Sequence, residues 1–589
     1  MKEIIEQKYE NLFDKYHFAR PIDAFQVTHV IKNSLQEFMK LDKKTAIYCN
    51  GGHTKMLMAD FMFELKNIKF IIDNYSEIYD VNGFYMIRDD EIEKNGIEAV
   101  IISSFKFRNS IIDNLKKNHP SILFLDIYDK LAENGIVLKT DYYYQNHPYQ
   151  HYRTINSIQR KIREEKDECE LIKSFWLLIT QYIHIKDFLS AIVYAKELYK
   201  ITSNLREAEL ISELENLYNE EISAVGQISE KNVLMFCLDG LRHQDFSNEY
   251  MPKMTEVFEK KGFIFDNAYS FSTSTFESLL PAYSENDDLR TGYYNKNFVE
   301  ENDCRFLQEA IRQKRKICFY TDMNHFVKGE NVHYSGTFQT VTEKLWNFIL
   351  DAVDEENGLY YIHELYESHF TFSNPYTEEK LISEGTAMLF DFLPQKGGKL
   401  RTDYAQQHLD AIRYLDDVLA PFFQEIRCRV VLYSDHGNMI LKKECELKEV
   451  PETKLICDEE WIRIVCAICS PEINFGRTRK LFSIMSLNDI IISLLKQEIY
   501  REPENDYIKV ARSELYNPNF QSLYKMLKKD TYLLAFEAFI FKEGYKLVVF
   551  SDGTVELYRV MNDKRICDNK LIDHMLEKVK KHITVYAYE

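Results

Sequence analysis

The chain has 589 residues, of which 45% are hydrophobic and 28% charged, and its formal net charge is −19. This length exceeds what a single hydrophobic core supports, so about three or four domains of a soluble globular protein are expected. The acidic balance excludes a large nucleic-acid or anionic-membrane surface, because either surface would need clustered Lys and Arg.

The N-terminus and the cysteines predict a cytoplasmic location. Residues 1–8 are rich in charge and lack the long apolar core of a signal peptide. The most apolar helical stretch, 175–180, is far shorter than the roughly 20 residues that cross a bilayer, so no membrane span is expected. The 11 cysteines are scattered without regular spacing, which argues against a disulfide framework.

Residues 1–148 predict a Rossmann-like α/β domain. After a helical region at 1–40, apolar strands alternate with helical segments, and the strands are expected at 44–48, 68–73, 98–104 and 121–126. The turn Gly51-Gly52 follows the first strand and Asp73 follows the second, as in half of a nucleotide-binding fold, but the third glycine is missing. Nucleotide binding and a structural or partner-docking role both stay open, and no cofactor-binding residue is assigned.

Residues 149–228 predict a helical connector. Apolar residues recur there at helical spacing and no strand signal is present, so three or four antiparallel helices are expected. One or two helical hairpins are too few for a solenoid. The segment 224–231 then leads into the next domain.

Two strand ends in the third region, 229–500, carry residues of the kind that bind metals. The apolar run 232–238 ends at Asp239, and the run 429–433 is followed closely by Asp435 and His436. In an open α/β sheet, ligands bind outside the carboxyl ends of the strands, so these three side chains are expected to meet. Two carboxylates and an imidazole suit one Mn²⁺, Zn²⁺ or Mg²⁺ ion, and the sequence does not choose among them.

A hydroxyl-rich segment, 270–275, lies between the two strand ends. A Ser or Thr hydroxyl there would become a nucleophile if a divalent cation and the positive end of the following helix stabilised its alkoxide. The alternative is that the segment only caps the helix, because Ser and Thr are common at helix starts.

These residues, taken in order, resemble the sulfatase-like domain of the alkaline phosphatase superfamily. The similar segments are 232–242, 251–254, 262–269, the hydroxyl segment, 404–419, 434–437, 464–471 and 486–495. The resemblance covers about 230–500, a little under half of the chain. It implies a central α/β/α sandwich, a metal-dependent site and ester chemistry like that of phosphoglycerol and phosphoethanolamine transferases and lipoteichoic acid synthases.

The resemblance also ranks the hydroxyls. The order of residues 273–277 is similar to the lipoteichoic acid synthases and favours Thr273 as the nucleophile and as a metal ligand. Spacing to the sulfatase helix favours Ser272, and Thr275 is the third choice. The formylglycine motif of sulfatases is absent, because positions 274 and 276 hold Ser and Phe instead of Pro and Arg.

Histidines are expected to complete the catalytic group. His369, in the loop 367–369, resembles the histidine with which the synthases contact the substrate phosphate. His325 follows the predicted strand 316–320 and is expected to contact the transferred phosphoryl group. His363 is expected to be a packed strand residue instead.

Residues 501–589 predict a small α+β region. Alternating apolar runs flank Asp552-Gly553, which is a strong hairpin signal, and a closing helix is expected at about 569–581.

The sequence as a whole predicts a metal-dependent phosphoryl-ester hydrolase or phosphotransferase of the sulfatase-like type. Its substrate would be a phosphate ester, its acceptor water or a saccharide or glycerol hydroxyl, and its setting the modification of cell-surface polysaccharides or polymers. Two alternatives stay open. One is a sulfuric ester hydrolase that uses unmodified Ser272, and the other is a non-catalytic scaffold that retains the fold.

Overall fold

The computed structural model describes the chain except residues 23, 62–63, 76–79, 82–83, 144–146, 323–325, 336–337, 378–398, 442–456, 514–533 and 586–589. Within the described part, helices accompany two large sheets whose strand pairs are mostly parallel, which confirms the predicted α/β class. Among the residues that the structure describes, no helix is long and apolar enough to cross a membrane.

The α-helices have these bounds: Lys2–Tyr16, Ala24–Met39, Gly52–Asp60, Arg108–Asn118, Ile127–Glu133, Pro148–Glu164, Glu168–His184, Phe188–Thr202, Leu205–Val225, Pro252–Lys261, Thr275–Ser284, Tyr293–Lys296, Arg305–Arg312, Val341–Ala352, Lys399–Glu425, Glu459–Ile462, Leu487–Lys496 and Asn569–Val579. Short 3-10 helices are Asp89–Glu91, His243–Asp245, Leu289–Thr291, Glu301–Asp303, Ile484–Ser486 and Lys580–His582.

The strands are β1 (Thr45–Tyr48), β2 (Phe70–Ile72), β3 (Asp80–Val81), β4 (Phe84–Ile87), β5 (Ala99–Ile102), β6 (Leu123–Asp126), β7 (Val233–Leu238), β8 (Phe263–Tyr269), β9 (Phe298–Glu300), β10 (Lys316–Tyr320), β11 (Phe326–Lys328), β12 (His333–Ser335), β13 (Gly358–Glu364), β14 (Arg429–Tyr433), β15 (Cys466–Cys469), β16 (Gly476–Ser483), β17 (Tyr507–Arg512), β18 (Phe536–Phe541), β19 (Tyr545–Phe550), β20 (Val555–Arg559) and β21 (Lys564–Ile566).

The N-terminal sheet has the strand order β3-β4-β2-β1-β5-β6, and only the β3–β4 pair is antiparallel. The four predicted strands are present, and β3 and β4 are additional strands that the sequence analysis did not predict. The apolar side chains of the helix Lys2–Tyr16 do not belong to the hydrophobic clusters of this sheet. These side chains join the connector helices instead, where Tyr9 lies 6.1 Å from Phe188 between ring centroids.

The connector consists of four helices, Pro148–Glu164 to Leu205–Val225, that pack in consecutive pairs. Asp167, Asp187 and Asn204 cap three of these helices through their side chains, which fixes where each helix begins. A single hydrophobic cluster runs from the first helix through the connector to one face of the central sheet. The connector is therefore packed on the central domain rather than separated from it.

The central sheet has the order β12-β10-β13-β7-β14-β15-β8-β16. Strand β7 lies in the middle and pairs in parallel with β13 and β14. All residues of β7 are buried. This burial explains its continuous apolar run, because a parallel strand in such a sheet is covered on both faces. The carboxyl ends of β7, β13 and β14 consequently lie side by side, and this edge carries the predicted ligands.

The C-terminal sheet is an antiparallel meander of β17 to β21 in chain order. It contains the predicted hairpin between β19 and β20, where Gly553 adopts a positive φ of 85°. The backbone N–H of Ala511 donates to the Phe271 carbonyl at 2.6 Å, so this sheet adjoins the hydroxyl segment.

Candidate metal centre

The backbone fixes the orientation of Asp435 and His436. Asp435 Oδ1 accepts hydrogen bonds from the N–H groups of Gly240 at 2.9 Å and His436 at 2.8 Å. The Nδ1 atom of His436 lies 2.8 Å from the carbonyl oxygen of Gly437, which can only accept, so Nδ1 carries the proton. This leaves Asp435 Oδ2 and His436 Nε2 for a further partner.

The ligand atoms converge on one point. His436 Nε2 lies 3.8 Å from Asp239 Oδ1 and 3.5 Å from Asp435 Oδ2. His369 Nε2 also lies 3.8 Å from Asp239 Oδ1. Asp239, His369 and His436 each offer a ligand atom within 4.8 Å of the other two. The sheet therefore brings together two strand ends and the loop that follows β13.

Two carboxylate oxygens at this point are buried without a hydrogen bond from any described residue, namely Asp239 Oδ1 and Asp435 Oδ2. Burying a carboxylate oxygen without a hydrogen bond or a nearby cation lowers the stability of the folded state. A divalent cation bound between these oxygens and His436 Nε2 would compensate both. The residues therefore fit the predicted metal.

The electrostatics of the two aspartates differ. Burial acts to raise the pKa of Asp239, but His369, His363 and His436 outweigh burial and hold that pKa below its ordinary value. The pKa of Asp435 is raised by burial and then by the negative charge of Asp239. A bound cation would relieve this repulsion and keep both groups ionised.

The three ranked hydroxyls occupy different positions. Ser272 Oγ donates to Glu277 Oε2 at 3.1 Å, so its proton is already engaged by a residue other than the ligands. Thr275 Oγ1 lies 3.4 Å from Asp239 Oδ2 and 3.3 Å from His436 Nε2. Among the described residues, no hydrogen bond joins the Thr273 hydroxyl to Asp239 or His436. The third choice from the sequence is thus the hydroxyl that contacts the ligands, and it is the first residue of its helix.

His363 contacts a candidate metal ligand, and the sequence does not predict this contact. It is packed on β13 as predicted, but its Nε2 lies 2.9 Å from Asp239 Oδ2. The parallel register pairs His363 with Cys237, two residues before Asp239, and this pairing is invisible without the sheet order. His325 lies outside the described residues.

Arg242 lies four residues after the end of β7. Its guanidinium is buried and makes ion pairs with Asp245 and with Glu460, the latter at 2.8 Å. Two carboxylates already satisfy its charge, so Arg242 holds the turn after β7 instead of facing the ligands.

Gly437 is expected to tolerate no side chain. A Cβ atom there would lie 2.1 Å from the backbone oxygen of Glu460, which cannot rotate away. Gly437→Ala should therefore lower the free energy of unfolding by about 1–3 kcal/mol or more, measured by denaturant titration. Gly51→Ala is the control, because a Cβ at Gly51 meets nothing within 4 Å. Equal stability of the two variants would contradict the packing around Gly437.

Comparison with solved structures gives matches of low identity. A phosphonate monoester hydrolase from Silicibacter pomeroyi shares 11% identity over 60% of this chain and 96% of its own, with a TM-score of 0.45. A 2-O GAG sulfatase shares 12% identity over 59% of this chain and 90% of its own, with a TM-score of 0.41. The C-terminal periplasmic domain of EcEptC from Escherichia coli, in complex with Zn, shares 14% identity over 45% of this chain and 82% of its own, with a TM-score of 0.33.

These three matches share no more than 14% identity with this chain. With TM-scores below 0.5 they carry no argument about activity, which is therefore argued from the site. No family model and no curated protein sequence matches the chain.

Proposed function

We propose that the chain is a metal-dependent enzyme that hydrolyses or transfers a phosphoryl ester, with Thr275 as its nucleophile. The observation that supports this is the position of the Thr275 hydroxyl, 3.4 Å from Asp239 and 3.3 Å from His436. His436 Nε2 in turn lies 3.8 Å from Asp239 Oδ1 and 3.5 Å from Asp435 Oδ2, and these two buried carboxylate oxygens lack a hydrogen bond from any described residue. Thr273 remains the choice from sequence order and is the variant against which Thr275 is tested.

Asp239, Asp435, His436 and Thr275 would hold one divalent ion, with Mn²⁺, Zn²⁺ and Mg²⁺ all compatible with these donors. Such an ion, when bound, lowers the pKa of a coordinated hydroxyl and offsets charge that develops on a phosphoryl oxygen. The N-terminus of the helix that starts at Thr275 adds a positive potential at the same atom.

The reaction would run in two displacements. The deprotonated Thr275 Oγ1 attacks phosphorus, the bond from phosphorus to the ester oxygen breaks, and that oxygen takes a proton from His369 Nε2 and departs as an alcohol. The phosphothreonine is then attacked by water or by an acceptor hydroxyl, which gives its proton to His369 as the bond to Thr275 breaks. His369 suits both steps, because its side chain is 34% exposed and its Nε2 faces Asp239.

The remaining parts of the proposal are supported by the sequence alone. A saccharide or glycerol hydroxyl as acceptor and a role in cell-surface polymers come from the family resemblance. The cytoplasmic location comes from the scattered cysteines, and the described ones are free thiols. We keep these parts as expectations for substrate screening.

The proposal is tested by elemental analysis of the purified chain together with cleavage of bis-aryl phosphate, mono-aryl phosphate and aryl sulfate. We expect one divalent ion per chain and faster cleavage of a phosphate ester than of the sulfate. Preference for the sulfate would favour the sulfuric ester hydrolase. A chain without a stoichiometric metal and without turnover would favour the scaffold.

A further inference from the structure

The loop that carries His369 is held by the connector helix Pro148–Glu164. Tyr152, on this helix, donates its hydroxyl hydrogen bond to Glu367 Oε1. One turn later on the same face, Asn156 Nδ2 donates to the carbonyls of Thr377 at 3.0 Å and Pro375 at 3.3 Å. The helix thus contacts both ends of the segment 367–377, which we call the His369 segment.

A continuous set of buried hydrogen bonds leads from Glu367 to the metal centre. The N–H groups of Glu367 and Ser368 donate to the two carboxylate oxygens of Glu364 at 2.7 and 3.1 Å. Ser368 Oγ lies between two acceptors, Glu364 Oε2 and the carbonyl oxygen of Asp239, the latter at 2.7 Å, and donates its single proton to one of them at a time. The residue that follows Ser368 is His369. The helix therefore reaches both the ligand Asp239 and the histidine through one short segment.

The two glutamates stand side by side in the interior, where both are almost wholly buried. Burial, and then the neighbouring Glu364, raise the pKa of Glu367 well above its usual range. Glu367 Oε1 accepts hydrogen bonds from the Tyr152 hydroxyl and from the N–H of Val341, the latter at 3.1 Å. The carboxyl of Glu367 thus joins the connector, the His369 segment and the helix that starts at Val341.

We propose that Tyr152 is a positioning residue for His369, so that the connector is a working part of the catalytic site. The inference rests on the proposed function, in which His369 exchanges a proton with the reacting oxygens. Removing the Tyr152 hydroxyl leaves the shape of the core unchanged but deprives Glu367 of a buried partner. The His369 segment would then sample other positions, and a misplacement of about 1 Å can cost about 10²-fold in rate.

The test compares Tyr152→Phe with Tyr320→Phe. Tyr320 is a matched control, because it is also buried and its hydroxyl donates to a carboxylate, Asp351, at 2.8 Å. Steady-state kinetics are measured in the otherwise unchanged chain and in a His369→Ala background. Amide hydrogen exchange of residues 366–374 is measured in the same proteins, and Asn156→Ala serves as a second variant if Tyr152→Phe fails to fold.

We expect Tyr152→Phe to lower kcat about 10-fold or more while KM changes less than about 2-fold. In the His369→Ala background the same substitution should have almost no effect, since residues that act through one another are not additive. Exchange at the amides of Glu367 and Ser368 should rise. Tyr320→Phe should change neither the exchange of this segment nor kcat.

Equal rate losses with and without His369, or unchanged exchange in the His369 segment, would overturn the inference. Absence of turnover in the wild-type chain would refute the proposed function instead. Faster amide hydrogen exchange of the His369 segment in Tyr152→Phe but not in Tyr320→Phe would then still support the anchoring of this segment by the connector.

Discussion

Thr275→Ala is expected to lower kcat/KM for a phosphate ester by about 10³-fold or more, because it removes the attacking oxygen. Thr273→Ala should change the same constant by less than about 10-fold, since no hydrogen bond among the described residues joins its hydroxyl to the ligands. Both constants are measured with the substrate that the wild-type chain cleaves fastest. The structure predicts this order from the 3.4 and 3.3 Å contacts of Thr275 with Asp239 and His436.

Two further variants sharpen this comparison. Thr275→Ser keeps a hydroxyl on Cβ and should retain much more activity than Thr275→Ala. Ser272→Ala should mainly affect stability, because the Ser272 hydroxyl is already bonded to Glu277. Loss of turnover in Thr273→Ala with activity kept in Thr275→Ala would reverse the assignment and return the nucleophile to the position chosen from sequence order.

Asp239→Asn and Asp435→Asn are expected to lose the bound divalent ion and to lower kcat by about 10³-fold. Each substitution preserves the shape of the side chain but removes the negative charge, and an amide is a weaker ligand for a dication than a carboxylate. Metal content by elemental analysis and turnover are measured on the same preparation.

Asp416→Asn is the control for these variants. Asp416 is equally buried, but both of its carboxylate oxygens accept backbone hydrogen bonds, from Lys253 at 3.1 Å and Met254 at 2.7 Å. The substitution should cost stability and leave the metal in place. Unchanged metal content in Asp239→Asn would contradict the site proposed here. Treatment with a chelator followed by addition of Mn²⁺, Zn²⁺ or Mg²⁺ separately would identify the ion that restores turnover.

Local patterns explain why much of the architecture could be predicted. The continuous apolar runs of β7 and β14 identify strands buried on both faces, and the Asp-Gly turn before β20 identifies a hairpin. Both features depend on residues close in sequence. The helical spacing of the connector is of the same kind, and its helices begin at side-chain caps that are visible in the sequence.

Contacts between segments that are distant in the chain could not be predicted from such local patterns. The packing of Lys2–Tyr16 with the connector, the 2.9 Å contact of His363 with Asp239, and the bond of Tyr152 to Glu367 join residues that are far apart in the chain. No periodicity encodes such pairs, because they depend on the order of strands in the sheet and on how layers pack.

The sequence by itself determined that Asp239, Asp435 and His436 would lie at the carboxyl edge of one sheet, since a parallel strand delivers its next residue there. Only the tertiary structure decided which hydroxyl meets them. Residues 272, 273 and 275 are chemically alike, and the direction of each side chain depends on the turn before the helix and on partners as remote as Glu277 and His436.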